Sequence, residues 1–200
     1  MDTCCEVRPV SARQRGVLQA ALWINAAMFV VESAAGLAAN STALLADSVD
    51  MLGDAIVYGF SLYAIDRGLV WQSRAAFLKG SIMAAFGLGI LVQVALKLTR
   101  GLAPGVETMG IVGLVALVAN LVCLRLLWRH RGDDINMRSA WICSRNDVVG
   151  NAAVLVAAGA VAVTGSPWPD IVIGLLVASV FGRSAVQVMR DASRAVAASG

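Results

Sequence analysis

The sequence predicts an all-α membrane protein built as a bundle of six transmembrane helices. The 200-residue chain is 58% hydrophobic and only 14% charged, whereas a soluble domain is about 25% charged. Apolar runs of about 20 residues recur along it, and each is long enough to cross a bilayer core of about 30 Å. The connections between these runs are short, so almost the whole chain belongs to the bundle.

The six predicted spans follow one another without room for a soluble domain. The first run contains Asn25 and Glu32 and has no convincing cleavage site, which favours a membrane helix over a cleaved signal peptide. The connection around Asn40 is so short that the first two helices form a hairpin. We expect a tail at 1–16, a six-helix transmembrane domain at 17–189, and a short tail at 190–200. The spans are 17–38, 44–65, 76–98, 107–128, 138–164 and 168–189.

The basic residues predict the orientation of the bundle. Cytoplasmic connections are enriched in Lys and Arg. Only Lys97 and Arg100 fall on one side of the predicted bundle, and Arg145 lies within a span. The remaining thirteen fall on the other side: Arg8, Arg13, Arg15, Arg67, Arg74, Lys79, Arg125, Arg129, Arg131, Arg138, Arg183, Arg190 and Arg194. We therefore expect a multi-pass protein of a bacterial inner (plasma) membrane, with both termini in the cytoplasm.

Composition and motifs also exclude several functions. The net charge is only +3 and the basic residues form no dense run, which argues against nucleic-acid binding. No GxxxxGK[ST] sequence occurs, so nucleotide hydrolysis is not the predicted energy source. We predict no enzyme activity and no resident cofactor. Cys4 and Cys5 are adjacent in the tail, where they either capture a soft metal ion or belong to an idle segment.

The most informative polar residues lie on the second span. Asp50 and Asp54 are four residues apart and share one face of a helix, and Asp47 lies about one turn away on the same stripe. A carboxylate in the hydrocarbon region is costly unless it is compensated. Three carboxylates within eight residues therefore predict a cation pathway through the membrane.

The fifth span repeats this spacing. Cys143 and Asp147 are four residues apart, so the two helices together offer four ligands around one point, the number that Zn²⁺ prefers. Protons compete with metal for such ligands, which is a basis for metal/proton antiport. The predicted ligands are Asp50, Asp54, Cys143 and Asp147. The possible accessory residues are Asp47, Glu32, Asn25, Cys4 and Cys5.

Two stretches resemble the cation diffusion facilitator (cation efflux) family. The first hairpin reads NAAMFVVESAAGLAANSTALLADSVDMLGDAI, with an Asn, a Glu seven residues later and an LLAD element. In that family LLAD precedes a ligand pair four residues apart, which corresponds to Asp50 and Asp54. The fifth helix reads MRSAWICSRNDVVGN, where Cys143 stands at a position usually held by His, and Asp147 follows. The resemblance covers about residues 15–190.

The resemblance implies a transporter that exports divalent metal ions in exchange for protons. Zn²⁺ is the expected cargo, and the softer ligand Cys143 also favours Cd²⁺ or other thiophilic ions. Family members commonly continue into a cytoplasmic domain that supports dimerisation. Since this sequence ends without it, we expect a homodimer held by the membrane helices and surrounding lipid. The alternative is a non-transporting membrane subunit that binds metal or assists assembly.

Overall fold

The computed structural model describes residues 12–63, 69–132 and 135–197, and every regular element in these ranges is an α-helix. Six helices were predicted and six are present, so the all-α bundle is confirmed. The helices run a few residues beyond most of the predicted spans, because a helix continues past the apolar core. Their bounds are α1 Ala12–Ala38, α2 Thr42–Tyr63, α3 Leu69–Arg100, α4 Val106–Trp128, α5 Ile135–Thr164 and α6 Trp168–Ala197.

Helix α2 occupies the centre of the bundle. The most extensive contacts pair α1 with α2, α4 with α5, and α3 with α6. In addition, α2 packs against α3, α5 and α6. The helix with the most carboxylates therefore has protein on several sides, which is where polar groups in a membrane segment are tolerated.

The outer surface of the bundle is apolar. Helices α1, α4 and α5 each contain a segment long and apolar enough to cross a membrane. Between its charged ends α4 exposes large hydrophobic side chains, whereas its buried face carries Met109, Gly113, Ala116, Asn120, Cys123 and Leu127. An apolar surface of this extent suits lipid rather than water. The exposed apolar residues of α4 include Ile111, Leu114, Val115, Val118, Leu121 and Val122.

The first two helices form the predicted hairpin. Helix α1 ends at Ala38 and α2 begins at Thr42. Asn40 adopts a left-handed conformation with φ 50°, which asparagine tolerates better than most residues. Ser41 caps α2, because its Oγ accepts a hydrogen bond of 3.1 Å from the backbone N–H of Leu44, which satisfies one of the free donors of the first turn.

A buried carboxylate from α6 holds this hairpin. Asp170 is fully buried. Its Oδ1 accepts hydrogen bonds from the Ser41 hydroxyl at 2.6 Å and from the Ala43 N–H at 3.1 Å, and its Oδ2 accepts one from the Thr42 N–H at 2.7 Å. A carboxylate is favourable at a helix N-terminus, because it binds the free N–H groups and the positive end of the dipole.

Lys97 completes this arrangement from α3. Its Nζ lies 2.5 Å from Oδ2 of Asp170 and donates to the Asn40 carbonyl at 2.7 Å, and both charged side chains are fully buried. We call Ser41, Lys97 and Asp170 the hairpin clasp. The sequence analysis counted Lys97 with Arg100 on the side of the bundle opposite the other basic residues, and the structure adds that the charge of Lys97 is buried in an ion pair.

Candidate metal site

Three carboxylates from two helices meet inside the bundle. Asp50, Asp54 and Asp147 each offer a ligand atom, and these atoms all lie within 4.8 Å of one another. Asp54 is 6% exposed and Asp147 is 3% exposed, whereas Asp50 is half-buried. We call these three residues the carboxylate cluster. Three of the four ligands that were predicted on the second and fifth helices thus lie close together.

Tyr58 is a residue of this site that the sequence analysis missed. Its side chain is buried, and its hydroxyl donates a hydrogen bond of 2.7 Å to Oδ2 of Asp54. The position could have been found, because Tyr58 follows Asp54 by four residues and therefore lies on the same face of α2 as the ligands. The bond fixes the orientation of a carboxylate that faces the cluster.

Cys143 lies on α5 one turn before Asp147 and is half-buried. Its sulfur is not among the atoms that lie within 4.8 Å of one another. Cys143 and Asp147 are four residues apart and share one face of α5, so Cys143 belongs to the same region of the bundle. Its role as the fourth ligand stays a prediction.

Two further carboxylates are buried beside the cluster without hydrogen-bond partners. Glu32 on α1 and Asp47 on α2 are both 0% exposed. Within the described part of the chain, none of their four carboxylate oxygens has a hydrogen-bond partner. Burying an ionised carboxylate without compensation is costly, so the two groups require either a cation or protons.

The asparagines of the bundle have separate positions. Asn25, predicted as an accessory residue, donates to the Ala21 carbonyl at 2.9 Å and contacts Sγ of Cys123 at 3.9 Å. The amide of Asn120 on α4 donates to Sδ of Met51 on α2 at 3.8 Å, a contact between helices. The amide of Asn151 donates within α5 to the Asp147 carbonyl.

Arg145 faces away from the metal site. Its side chain is exposed, and its guanidinium lies 5.6 Å from the ring centre of Trp141, within the range of a cation–π contact. Trp141 in turn packs edge-on against Trp128. Cys4 and Cys5, the other proposed accessory ligands, lie outside the described residues.

A membrane-spanning helical bundle with a buried cluster of acidic ligands defines a class of multi-pass membrane proteins that bind cations. The sequence profile of the cation efflux transmembrane domain matches residues 18–68 and 70–196. The match covers nearly the whole chain, so the chain belongs to the cation efflux family, a family of transporters rather than enzymes. The resemblance and the six-helix fold predicted from the sequence are therefore confirmed.

Several curated proteins are similar to this chain. The metal cation efflux system protein CzcD of Cupriavidus metallidurans is 26% identical over 80% of this chain and 54% of its own length. The zinc transporter ZitB of Escherichia coli is 28% identical over 86% and 59%. The cadmium, cobalt and zinc/H(+)-K(+) antiporter of Bacillus subtilis is 25% identical over 81% and 57%. The chain thus spans somewhat more than half the length of these relatives.

Proposed function

We propose that this protein exports divalent metal ions across a bacterial plasma membrane in exchange for protons. Asp50, Asp54, Asp147 and Cys143 are the ligands of the transported ion. The observation that carries the proposal is the meeting of three carboxylates within 4.8 Å in the interior of the bundle. Oxygen and sulfur ligands of this kind bind Zn²⁺ and related ions.

The charge of the cluster supplies the exchange mechanism. Three carboxylates this close repel one another when all are ionised, and the surrounding apolar bundle increases the cost. The cluster is therefore stable with a divalent cation or with protons, and each displaces the other. The bundle would open alternately at its two ends. Metal movement in one direction would then be coupled to proton movement in the opposite direction.

The curated relatives support both parts of this proposal. One carries the name zinc transporter, and another is named as an antiporter of cadmium, cobalt and zinc. In this chain the thiol of Cys143 favours thiophilic ions such as Zn²⁺ and Cd²⁺. The homodimer through membrane helices and the cytoplasmic position of both termini remain predictions.

Metal-dependent proton flux in proteoliposomes tests the assignment. With a Zn²⁺ gradient, the wild-type protein moves protons against the metal, and Asp54→Ala reduces both fluxes to the background of empty vesicles. Glu107→Ala is the matched control, because Glu107 is an exposed carboxylate in the first turn of α4. Wild-type rates in Asp54→Ala would overturn the site. Absence of flux in the wild type, with metal still bound, would favour a non-transporting metal-binding subunit.

A competition panel tests the contribution of Cys143. The competing ions are Zn²⁺, Cd²⁺, Co²⁺, Ni²⁺, Mn²⁺ and Pb²⁺, applied to the wild type and to Cys143→His. An imidazole is less thiophilic than a thiolate, so the variant should lose preference for Cd²⁺ and Pb²⁺ relative to Zn²⁺. An unchanged order of preference would remove Cys143 from the ligand set.

A further inference from the structure

We infer that Glu32 and Asp47, here called the carboxylate pair, form a second binding position for a divalent metal ion. This position lies between the carboxylate cluster and the hairpin clasp, and it is occupied in addition to the cluster. The inference rests on the proposed function for the identity of the cargo. It concerns residues that the family match and the names of the relatives do not assign.

The first argument is that the described residues supply no compensating group to the carboxylate pair. Both side chains are 0% exposed, and within the described part of the chain all four oxygens are without a hydrogen-bond partner. Lys97, a buried cation near the hairpin, is committed to Asp170 and to the Asn40 carbonyl. Arg145 is exposed beside Trp141. An ionised carboxylate only accepts hydrogen bonds, so the pair in its ionised form requires a cation that these residues do not supply.

The second argument is the position of the pair along the helices. Asp47 precedes Asp50 by three residues and follows Thr42 by five. At a rise of about 1.5 Å per residue, it lies about 4.5 Å from the level of Asp50 and about 7.5 Å from the start of α2. A Cβ atom at Gly36 of α1 would lie 2.9 Å from Leu45 of α2, so in this antiparallel hairpin Glu32, one turn before Gly36, is level with the stretch between Asp47 and Asp50. The pair therefore continues the acidic path from the cluster towards the hairpin.

Helix α5 closes the third side of this position. A Cβ atom added to Gly150 would lie 3.3 Å from Oδ1 of Asp47. A larger residue at position 150 would therefore crowd the Asp47 carboxylate. The next residue, Asn151, is fully buried and its Oδ1 has no hydrogen-bond partner. Carboxylate and amide oxygens are ligands that divalent cations accept. Water can complete the coordination.

The third argument is the number of charges. The cluster and the pair together place five carboxylates in one region of the bundle, on α1, α2 and α5. One divalent ion at the cluster offsets two negative charges and leaves the pair uncompensated. A second divalent ion offsets the pair fully. The two positions would lie about one helical turn apart. An ion that arrives at one position would therefore repel the ion at the other and weaken its binding.

Counting bound ions tests the inference directly. We would measure the stoichiometry of Cd²⁺ by equilibrium dialysis of the full chain in lipid nanodiscs. Cys4→Ser and Cys5→Ser are included in every sample, so that the tail thiols contribute no binding. The parent protein should bind two ions per chain. Glu32→Gln combined with Asp47→Asn should bind one, Asp54→Asn should bind one, and Glu107→Gln should still bind two.

The outcomes separate this inference from the proposed function. A single ion in the parent protein, unchanged when Glu32 and Asp47 are neutralised, would overturn the second position. A pair that alters only the pH profile of flux, with one ion bound throughout, would overturn it too, because the pair would then hold protons. Exchange of the side chains, Glu32→Asp with Asp47→Glu, keeps both charges and should keep two ions if the neutral variant fails to fold. Metal flux in the parent, measured separately, decides the proposed function.

Discussion

The hairpin clasp holds the start of α2, and Asp47 of the carboxylate pair lies in the second turn of that helix. The two regions treat buried charge in opposite ways. In the clasp, Asp170 receives four donors, including Lys97, and no oxygen of this carboxylate lacks a partner. In the pair, Glu32 and Asp47 are equally buried and their oxygens receive no hydrogen bond.

This difference separates a carboxylate that stabilises the fold from carboxylates that are available to the proposed cargo. A buried charge whose partners are all protein groups ties helices together, as the clasp ties α6 and α3 to the start of α2. A buried charge without protein partners leaves its binding capacity for a mobile cation. The contrast explains why acidic residues at similar depth in one bundle can have unrelated roles, and it yields predictions in order of decreasing effect.

The largest effect is expected from breaking the clasp. Asp170→Asn leaves Lys97 buried without its counter-ion, and removing one partner of a buried pair costs about 3–5 kcal/mol. Thermal or denaturant unfolding in mild detergent, with a chelator present, measures the loss. Asp47→Asn is the matched control, because it removes an uncompensated carboxylate and should leave stability unchanged or raise it. Equal losses in the two variants would end the distinction between the two regions.

A smaller effect is expected at Tyr58, which contacts the proposed ligand Asp54 without being a ligand itself. Tyr58→Phe removes the hydrogen bond to Asp54 but no ligand, and loss of a group that orients a ligand lowers metal affinity by about 10–100-fold. The half-saturating Zn²⁺ concentration for flux should rise accordingly, while the maximal rate changes less. An unchanged half-saturating concentration would show that Asp54 does not depend on this bond.

A glycine on α6 tests how tightly the clasp is packed. A Cβ atom at Gly174 would lie 2.7 Å from the Thr42 carbonyl carbon, and backbone cannot move aside as a side chain can. Gly174→Ala should therefore cost about 1–3 kcal/mol of stability, as overpacking does. Gly159→Ala, where no atom lies within 4 Å, should be neutral or slightly stabilising. A neutral Gly174→Ala would mean that α6 moves away from α2 easily.

The smallest effect on stability is expected at Gly150. Its added Cβ would approach only a carboxylate oxygen, at 3.3 Å, and the Asp47 side chain can turn to avoid it. Gly150→Ala should leave the free energy of unfolding within about 0.5 kcal/mol of wild type, yet weaken Cd²⁺ binding at the second position. Full retention of two tightly bound ions would separate Gly150 from that position.

Much of this molecule was predictable from residue spacing. Apolar runs of membrane length gave the six helices, and the four-residue spacing of Asp50 and Asp54 placed both on one face of α2. The contact of this face with Asp147 follows from the same rule applied to α5. These features depend on local periodicity, which a sequence carries in full.

The clasp was not predictable, because its partners are far apart in the sequence. Lys97 and Asp170 are separated by 73 positions, and each resembles an ordinary charged residue near a helix end. The bond from Tyr58 to Asp54 could have been anticipated from spacing, but tyrosine is also a common packing residue. Likewise, Asn151 could bond within its helix or between helices, and sequence spacing alone does not decide between them.

The clasp also sets a geometry for movement. It fixes α2 at its first residue, whereas the helix extends 22 residues to Tyr63, about 33 Å at the rise of an α-helix. A tilt of about 10° around that fixed point would carry Tyr63 through about 6 Å but Asp50 through only about 2 Å. A helix held at one end can thus open the bundle widely at the other end, while Asp50 moves by only about 2 Å and Asp54 by about 3 Å.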